Sequence, residues 1–301
     1  MYNGIINIYK EAGYTSHDVV AKMRGICRQK KIGHTGTLDP QAAGVLPVCL
    51  GNGTKLCDLL TDKEKEYVAE LLLGVDTDTQ DTTGRILKTC AVTSSEEEVR
   101  AVIDGFQGPY EQIPPMYSAI KVDGKKLYEL ARAGKEVERK ARPVTIHEIE
   151  ILEMSLPRVK LRVRCSKGTY IRTLCHDIGD RLGCCGTMAS LVRTRVGIFS
   201  IGDAITLGQL EVLRDQGRIE ERLCPADSVF EQCPALHIKE EFRRLIDNGN
   251  SFSPQQSEEG IVYDSGEWVR VYNDENRFCA VYAYEDDKCR YKPVKMFPEQ
   301  G

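Results

Sequence analysis

The sequence predicts an α+β protein with a small β-rich C-terminal unit, and three observations carry the prediction. Short runs of alternating apolar residues recur along the chain, at 5–9, 65–75, 146–153 and 159–165, and a period of two marks a half-buried strand. Segments with helical spacing and polar caps fall between them, and together these local elements justify α+β. From about residue 233 the texture shifts to short strand-like runs around one short helix. A chain of 301 residues accommodates one large domain and one small one, and the boundary is placed near residue 232.

The elements follow in order. IINIY at 5–9 reads as a strand, and Ser16 is placed to cap a helix over 19–27. KKIGHTGTLDPQAAGVLPVCLG, with four glycines and two prolines, reads as a structured loop running into a strand. A strand over 65–75 precedes a helix over 94–106, with Ser94 or Ser95 as cap and acids in its first turn. Residues 112–146 are rich in Pro, Lys and Tyr, with eight basic and four acidic residues, and read as an inserted arm. Strands are expected at 146–153 and 159–165, a helix at 170–182 and renewed alternation at 196–206. The tail should hold a short helix at 240–248 and strands at 260–263, 268–272 and 278–284.

The formal charge of −4 weighs at first against a nucleic-acid partner. Its distribution reverses that reading. Residues 1–202 hold 29 of the 41 Lys and Arg and 25 of the 45 acids, a net of +4, which leaves −8 for residues 203–301. Two stretches, 19–38 and 154–176, carry five and six cations and no acid; solvated faces normally interleave both signs, so these favour a polyanion. No apolar run reaches the roughly 18 residues of a membrane span, and the N-terminus lacks the order of a secretory signal, so a cytosolic protein is expected. Twelve cysteines without CxxC spacing suggest free thiols and no zinc site.

Among candidate motifs, GHTGTLDP at 33–40 fails the P-loop template, because Thr37 and Leu38 follow Gly36 where Lys and Ser or Thr are required. Asp39 before Pro40 is ordinary turn chemistry on spacing alone. In KGTYIRTLCHDIG at 167–179, Tyr170 and Arg172 would share one face of an extended segment. Arg172 could hold a carboxylate such as Asp39 in bidentate geometry, or equally contact RNA phosphate. Asp76, Asp78 and Asp81 miss the calcium-loop template at positions 80 and 81. No dinucleotide glycine loop or hydrolase signature is present.

Taken together, GHTGTLDPQAAGVLP, KEY at 65–67, QIPPMYSAIKVDGKKLYELARAG at 112–134, KGTYIR at 167–172 and LVRTRVGIF at 191–199 resemble the TruB family of tRNA pseudouridine-55 synthases. The resemblance runs in family order over about residues 4–200. It implies a pseudouridine synthase fold with a mixed, largely antiparallel central sheet over 1–232, the arm at 112–146 binding RNA, and a PUA-like RNA-binding domain over 233–301. It implies isomerisation of one T-loop uridine without metal or organic cofactor, with Asp39 as nucleophile, Arg172 as its partner, Tyr67 against the target base, and Tyr170 and Leu191 lining the pocket. The target base must leave its stack, and His34 matches the residue that fills the vacated place. RNA contacts are expected from Lys10, from Lys121, Lys125, Lys126 and Tyr128 of the arm, and from Lys292 in a patch with Lys288, Arg290, Tyr291 and Lys295. Where the family often has Lys-Pro, this chain has Lys10-Glu11. The expected partner is the tRNA T-arm, with no membrane and no protein partner, and the chain is expected to be a monomer. The rival reading is a tRNA-binding folding factor whose catalysis is dispensable.

Overall fold

The computed structural model describes residues 1–122 and 124–297; position 123 of the arm and positions 298–301 of the tail lie outside the described residues. The chain opens with β1 (Gly4–Lys10) and α1 (Ser16–Ile26). Thr15, not Ser16, caps α1: its hydroxyl accepts from the Asp18 amide at 3.1 Å, and the Asp18 carboxylate accepts from the Thr15 amide at 2.8 Å, a reciprocal capping box. Ser16 is thereby freed to accept from the Leu38 amide at 3.0 Å. Then come β2 (Ile32–His34), β3 (Ala43–Leu50), α2 (Cys57–Thr61) and β4 (Lys65–Leu73), whose alternate residues Lys65, Tyr67, Ala69, Leu71 and Leu73 face inward. Gly74 (φ +88°) ends β4, and β5 (Val75–Thr77) with β6 (Ile86–Thr89) forms a separate hairpin.

The expected helix at 94–106 is α3 (Glu96–Asp104), capped by Ser95, and β7 (Gly108–Gln112) follows. The arm carries β8 (Lys121–Val122), β9 (Lys125–Lys126) and α4 (Leu127–Arg132). Next are β10 (Arg142–Ser155), β11 (Arg158–Cys165), α5 (Ile171–Arg181), β12 (Gly186–Val196), β13 (Phe199–Ser200) and α6 (Leu207–Asp215). The alternation expected at 196–206 is displaced: the long strand is β12, disguised in sequence by Ser190, Arg193 and Arg195. The tail contributes β14 (Ala235–His237), α7 (Arg243–Asp247), β15 (Trp268–Tyr272), β16 (Phe278–Glu285) and β17 (Arg290–Met296). Residues 260–263 form no strand, and β14 and β17 complete the tail sheet instead, in the order β14-β15-β16-β17.

The large sheet runs β1-β3-β12-β4-β11-β10-β7, with β2 on β3 and β13 on β12. Its neighbours are antiparallel except β3 and β12, which meet in parallel through Val192↔Ala43 and Arg193↔Gly44. That junction requires glycine: Gly44 has φ +109°, and a Cβ there would lie 2.2 Å from the Arg193 carbonyl oxygen. Among the described residues, β12 is the only strand joining β1–β3 to the β4 side of the sheet.

One core packs α3 and α5 on Leu71, Leu161 and Val163; a second packs α1 and α6 on Ile6, Ile8 and Leu46. The opposite side of β1 and β3, with Ile5, Val45 and Cys49, clusters with Phe230 and with Val281 and Phe297 of the tail. Two expectations fail on tertiary grounds. Cys90 and Cys185, 95 residues apart, are joined in a disulfide with Cα atoms 6.2 Å apart, because the β5–β6 hairpin folds back toward the start of β12. The cations of 154–176 also find partners that the linear sequence hides: Arg158 pairs with Glu70 (2.8 Å), Lys160 with Glu153 (3.2 Å), Arg162 with Glu150 (2.6 Å), Arg164 with Glu148 (3.3 Å) and Lys167 with Asp62 (2.9 Å). Strand register thus turns a one-signed run into a mixed face. By contrast, Arg24, Arg28, Lys30 and Lys31 have no ion pair among the described residues.

Candidate active site

The loop between β2 and β3 is pinned by several backbone hydrogen bonds. Besides Leu38 on Ser16, the Ala42 amide donates to the Asp39 carbonyl (3.1 Å), and the Gly13 amide and Lys10 Nζ both donate to the Pro40 carbonyl (2.9 and 3.1 Å). Arg193 Nη2 reaches the Gly36 carbonyl at 3.2 Å, and Thr35 bonds Pro47 through both its amide and hydroxyl. The Asp39 side chain itself remains 41 % exposed. A fixed backbone presenting a free carboxylate is a preorganised site.

Arg172, in the first turn of α5 and only 5 % exposed, aims at that carboxylate, with Nη2 3.4 Å from Asp39 Oδ2. The expected bidentate geometry is absent. The fork is divided: Nη2 also donates to the Tyr117 carbonyl (2.6 Å), and Nη1 donates to the Thr79 carbonyl (3.4 Å). The guanidinium therefore ties the carboxylate to the arm and to the β5–β6 hairpin. Tyr170 is the residue preceding α5; Gln112 holds its amide (2.8 Å) and carbonyl (3.0 Å), and its ring lies 5.9 Å from the Arg172 guanidinium. Its position at a helix start, rather than on an extended segment, still brings both side chains to one cleft.

The cleft, of about 670 Å³, brings together Asp39, Tyr67, Tyr170, Arg172 and Leu191. Burial pushes the Tyr67 phenol up to about 12, so it is a neutral hydrogen-bonding group at physiological pH. Its neighbour is Arg193, 1 % exposed, which donates through Nε to the Val45 carbonyl at 2.8 Å and hydrogen-bonds Tyr67. Burial lowers both Lys10 and Lys65 to about 8.

Lys10 is a correction: at 1 % exposure its ammonium lies against the Glu11 and Pro40 carbonyls, so it braces the Asp39 loop and cannot meet RNA. Lys292 is exposed but lies 3.5 Å from Glu285, which also takes Lys288 (3.7 Å) and Arg290 (3.1 Å). Tyr291 is fully buried, its hydroxyl on the Ile261 carbonyl. Glu285 thus offsets the expected tail patch only in part, and Lys295 has no carboxylate partner among the described residues. In the arm, Lys121 and Lys125 are exposed, Lys126 and Tyr128 half-buried, and Lys126 and Arg132 lie over the Tyr128 ring at 5.4 and 5.5 Å, within cation–π range. Tyr128 lines the cleft. His34 sits at the end of β2, outside the cleft lining, edge-on to His17 with ring centres 5.4 Å apart. Burial, with His17 and Arg193 nearby, lowers its pKa and favours the neutral ring.

Sequence reasoning missed Asp81 and Arg193. Asp81 lines the cleft, its Oδ1 accepting from the Thr79 hydroxyl (2.8 Å) and the Thr83 amide (2.9 Å). It was weighed only as a calcium ligand. Arg193 lies two residues from Leu191 on one strand, the spacing of a shared face, and that spacing was the available signal. In chemical terms the cleft offers a part-exposed carboxylate held by a guanidinium, a second carboxylate at Asp81, a neutral phenol and an apolar wall, with a basic, aromatic arm at its side.

Comparison with known proteins bears on this arrangement. Residues 24–171 match the family described as TruB family pseudouridylate synthase (N terminal domain), and residues 172–231 match the tRNA pseudouridylate synthase B C-terminal domain. The chain is 51 % identical to tRNA pseudouridine synthase B of Lachnoclostridium phytofermentans, over 98 % of this chain and 99 % of that protein. It is 41 % identical to the Bacillus pumilus protein of the same name, over 99 % of each. Among solved structures, it resembles a chain of a Cbf5–Nop10–Gar1 complex with TM-score 0.74 and 28 % identity, covering 99 % of this chain and 87 % of the other. A chain of an H/ACA RNP bound to a substrate RNA gives TM-score 0.74 and 26 % identity, covering 98 % and 85 %.

Proposed function

The chain belongs to the TruB family of pseudouridylate synthases and acts as a tRNA pseudouridine synthase, and we propose that its target is uridine-55 of the T-loop, that Asp39 is the nucleophile, and that the base is flipped into the Asp39 cleft. The observation that carries this reading is the ion pair between a buried arginine held by two backbone carbonyls and an aspartate with no other side-chain partner among the described residues, inside a cleft lined by Tyr67 and Leu191.

Isomerisation breaks the bond between the ribose and ring nitrogen N1, turns the base, and rebuilds the link through C5, whose proton leaves as N1 gains one. No atom is gained or lost overall. Asp39 supplies the negative charge that detachment of the base demands. Arg172 aims that carboxylate, Tyr67 and Leu191 hold the detached ring, and Lys10 and Arg193 fix the loop on which Asp39 rides. Extraction of the base costs a few kcal/mol of stacking, offset by His34 entering the T-loop. On this reading residues 1–232 form the catalytic domain, 112–146 its RNA-binding arm and 233–301 a PUA-like accessory domain.

The test is incubation of unmodified tRNA with wild-type protein and Asp39→Asn, followed by position-specific pseudouridine mapping and a tRNA-binding titration. Wild type should modify position 55 alone, and the variant should bind but not convert. Full conversion by Asp39→Asn would remove Asp39 from its role, and modification at another position would overturn the target.

A further inference from the structure

Three lysines meet at the seam between the body and the tail. Lys55 lies in the 3-10 turn Gly51–Leu56, and its Nζ crosses to the tail to donate to the Met296 carbonyl at 2.8 Å. Lys295 of β17 crosses the other way, donating to the Lys55 carbonyl at 2.5 Å. Lys31 joins them from the segment before β2, its carbonyl accepting from the Gly51 amide at 2.9 Å. Burial and the charges of Lys31 and Lys295 together lower the pKa of Lys55, as expected where like charges crowd.

None of the three has a carboxylate within ion-pair distance among the described residues. The local sequences are free of acids as well: 19–38, 51–57 and 290–297 contain none. On the β10–β11 face and around Glu285, by contrast, the cations sit beside carboxylates. An unpaired trio of like charges is unfavourable in the free protein, and an external polyanion relieves it.

We propose that Lys31, Lys55 and Lys295 form a composite phosphate site, built jointly by body and tail, that binds the substrate RNA backbone beyond the catalytic cleft. The proposal rests on the RNA-modifying reading above. The tail then contributes one cation to a shared site, which explains how a net-acidic unit can hold RNA.

The test is titration of unmodified full-length tRNA over a range of KCl concentrations with wild type, Lys31→Gln, and the triple variant Lys31→Gln/Lys55→Gln/Lys295→Gln. Each lost phosphate contact lowers the slope of log K against log salt by about 0.7–0.9, so the triple variant should lose about 2–3 from the slope and Lys31→Gln just under 1. Single-turnover conversion at saturating enzyme should stay within about twofold, since the cleft is untouched. Among the described residues Lys31 makes no side-chain bond to the tail, so its variant separates phosphate binding from loosening of the seam. Unchanged slopes, with wild type converting uridine in the same assay, would overturn the site and leave the catalytic reading intact. Failure of wild type to convert, with the slopes changed as expected, would overturn the catalytic reading alone. Displacement of tRNA by polyglutamate as effectively as by RNA duplex would assign the lysines to an acidic protein instead.

Discussion

Replacing Arg172 by Lys keeps the charge and removes the geometry. The guanidinium spreads two nitrogens over three oxygens: Asp39 Oδ2 at 3.4 Å, the Tyr117 carbonyl at 2.6 Å and the Thr79 carbonyl at 3.4 Å. A single ammonium reaching the Asp39–Tyr117 side gives up Thr79 and cannot hold the other two in the same directions. Charge-assisted hydrogen bonds contribute about 1.5–3 kcal/mol each, so two weakened contacts cost at least about 3 kcal/mol, or roughly 100-fold in rate if the loss falls on the chemical step. Arg172 is 5 % exposed, so tRNA phosphates cannot be its main partner and affinity should change less than about threefold. The assay is release of tritium from C5-labelled uridine in tRNA under single turnover, beside filter binding of the same RNA. A rate loss matched by an equal affinity loss would refute the argument and make Arg172 a backbone contact.

Gly44→Ala should destabilise the fold by several kcal/mol, on the order of 3 or more, because its Cβ meets the Arg193 backbone at 2.2 Å; a urea midpoint equal to wild type would show that the parallel junction can relax. Lys65, lowered by burial to about 8 from 10.5, makes stability rise between those pH values, where the unfolded chain still holds the proton that the folded chain has released. Wild type should therefore gain on Lys65→Met by up to about 3 kcal/mol between pH 7.5 and 10.5, and a pH-independent difference in urea unfolding would disprove the buried ammonium. His34→Ala should slow conversion of intact tRNA by tenfold or more while sparing an RNA whose T-loop is already unpaired; equal slowing on both would move His34 from opening to chemistry. Deleting residues 233–301 strips Val281 and Phe297 from their cluster with Ile5, Val45 and Phe230, so the truncated protein should melt at a lower temperature as well as bind tRNA more weakly. An unchanged melting temperature would mean that the tail is docked only loosely.

The Asp39 loop and the α5 start were legible because each is local: a turn, a proline, a helix beginning and side chains a few residues apart. What escaped depends on partners distant in sequence. The run 154–176 is acid-free along the chain, but β11 lies between β4 and β10, whose outward residues include Glu70, Glu150, Glu148 and Glu153. Lys10 looked like a surface cation because nothing nearby indicates that the Pro40 carbonyl, thirty residues away, receives its ammonium. Arg193 was hidden by the opposite prejudice, since a fully buried arginine without a carboxylate is rare; backbone carbonyls and a tyrosine satisfy it instead. In the tail, β17 was missed because Lys292, Pro293 and Lys295 break its apolar pattern, while the apolar stretch at 260–263 turned out to be loop.

The bridging position of β12 sets the order of events during synthesis. When the ribosome has polymerised 185 residues, Asp39, Tyr67, Tyr170 and Arg172 are all in existence, yet the strand that joins β3 to β4 is not. The nascent chain at that point is two half-sheets without a common edge, and a contact spanning some 150 residues must wait for its last member. The lining of the Asp39 cleft, Leu191 and Arg193 included, is thus completed late and in one step, with the arrival of β12.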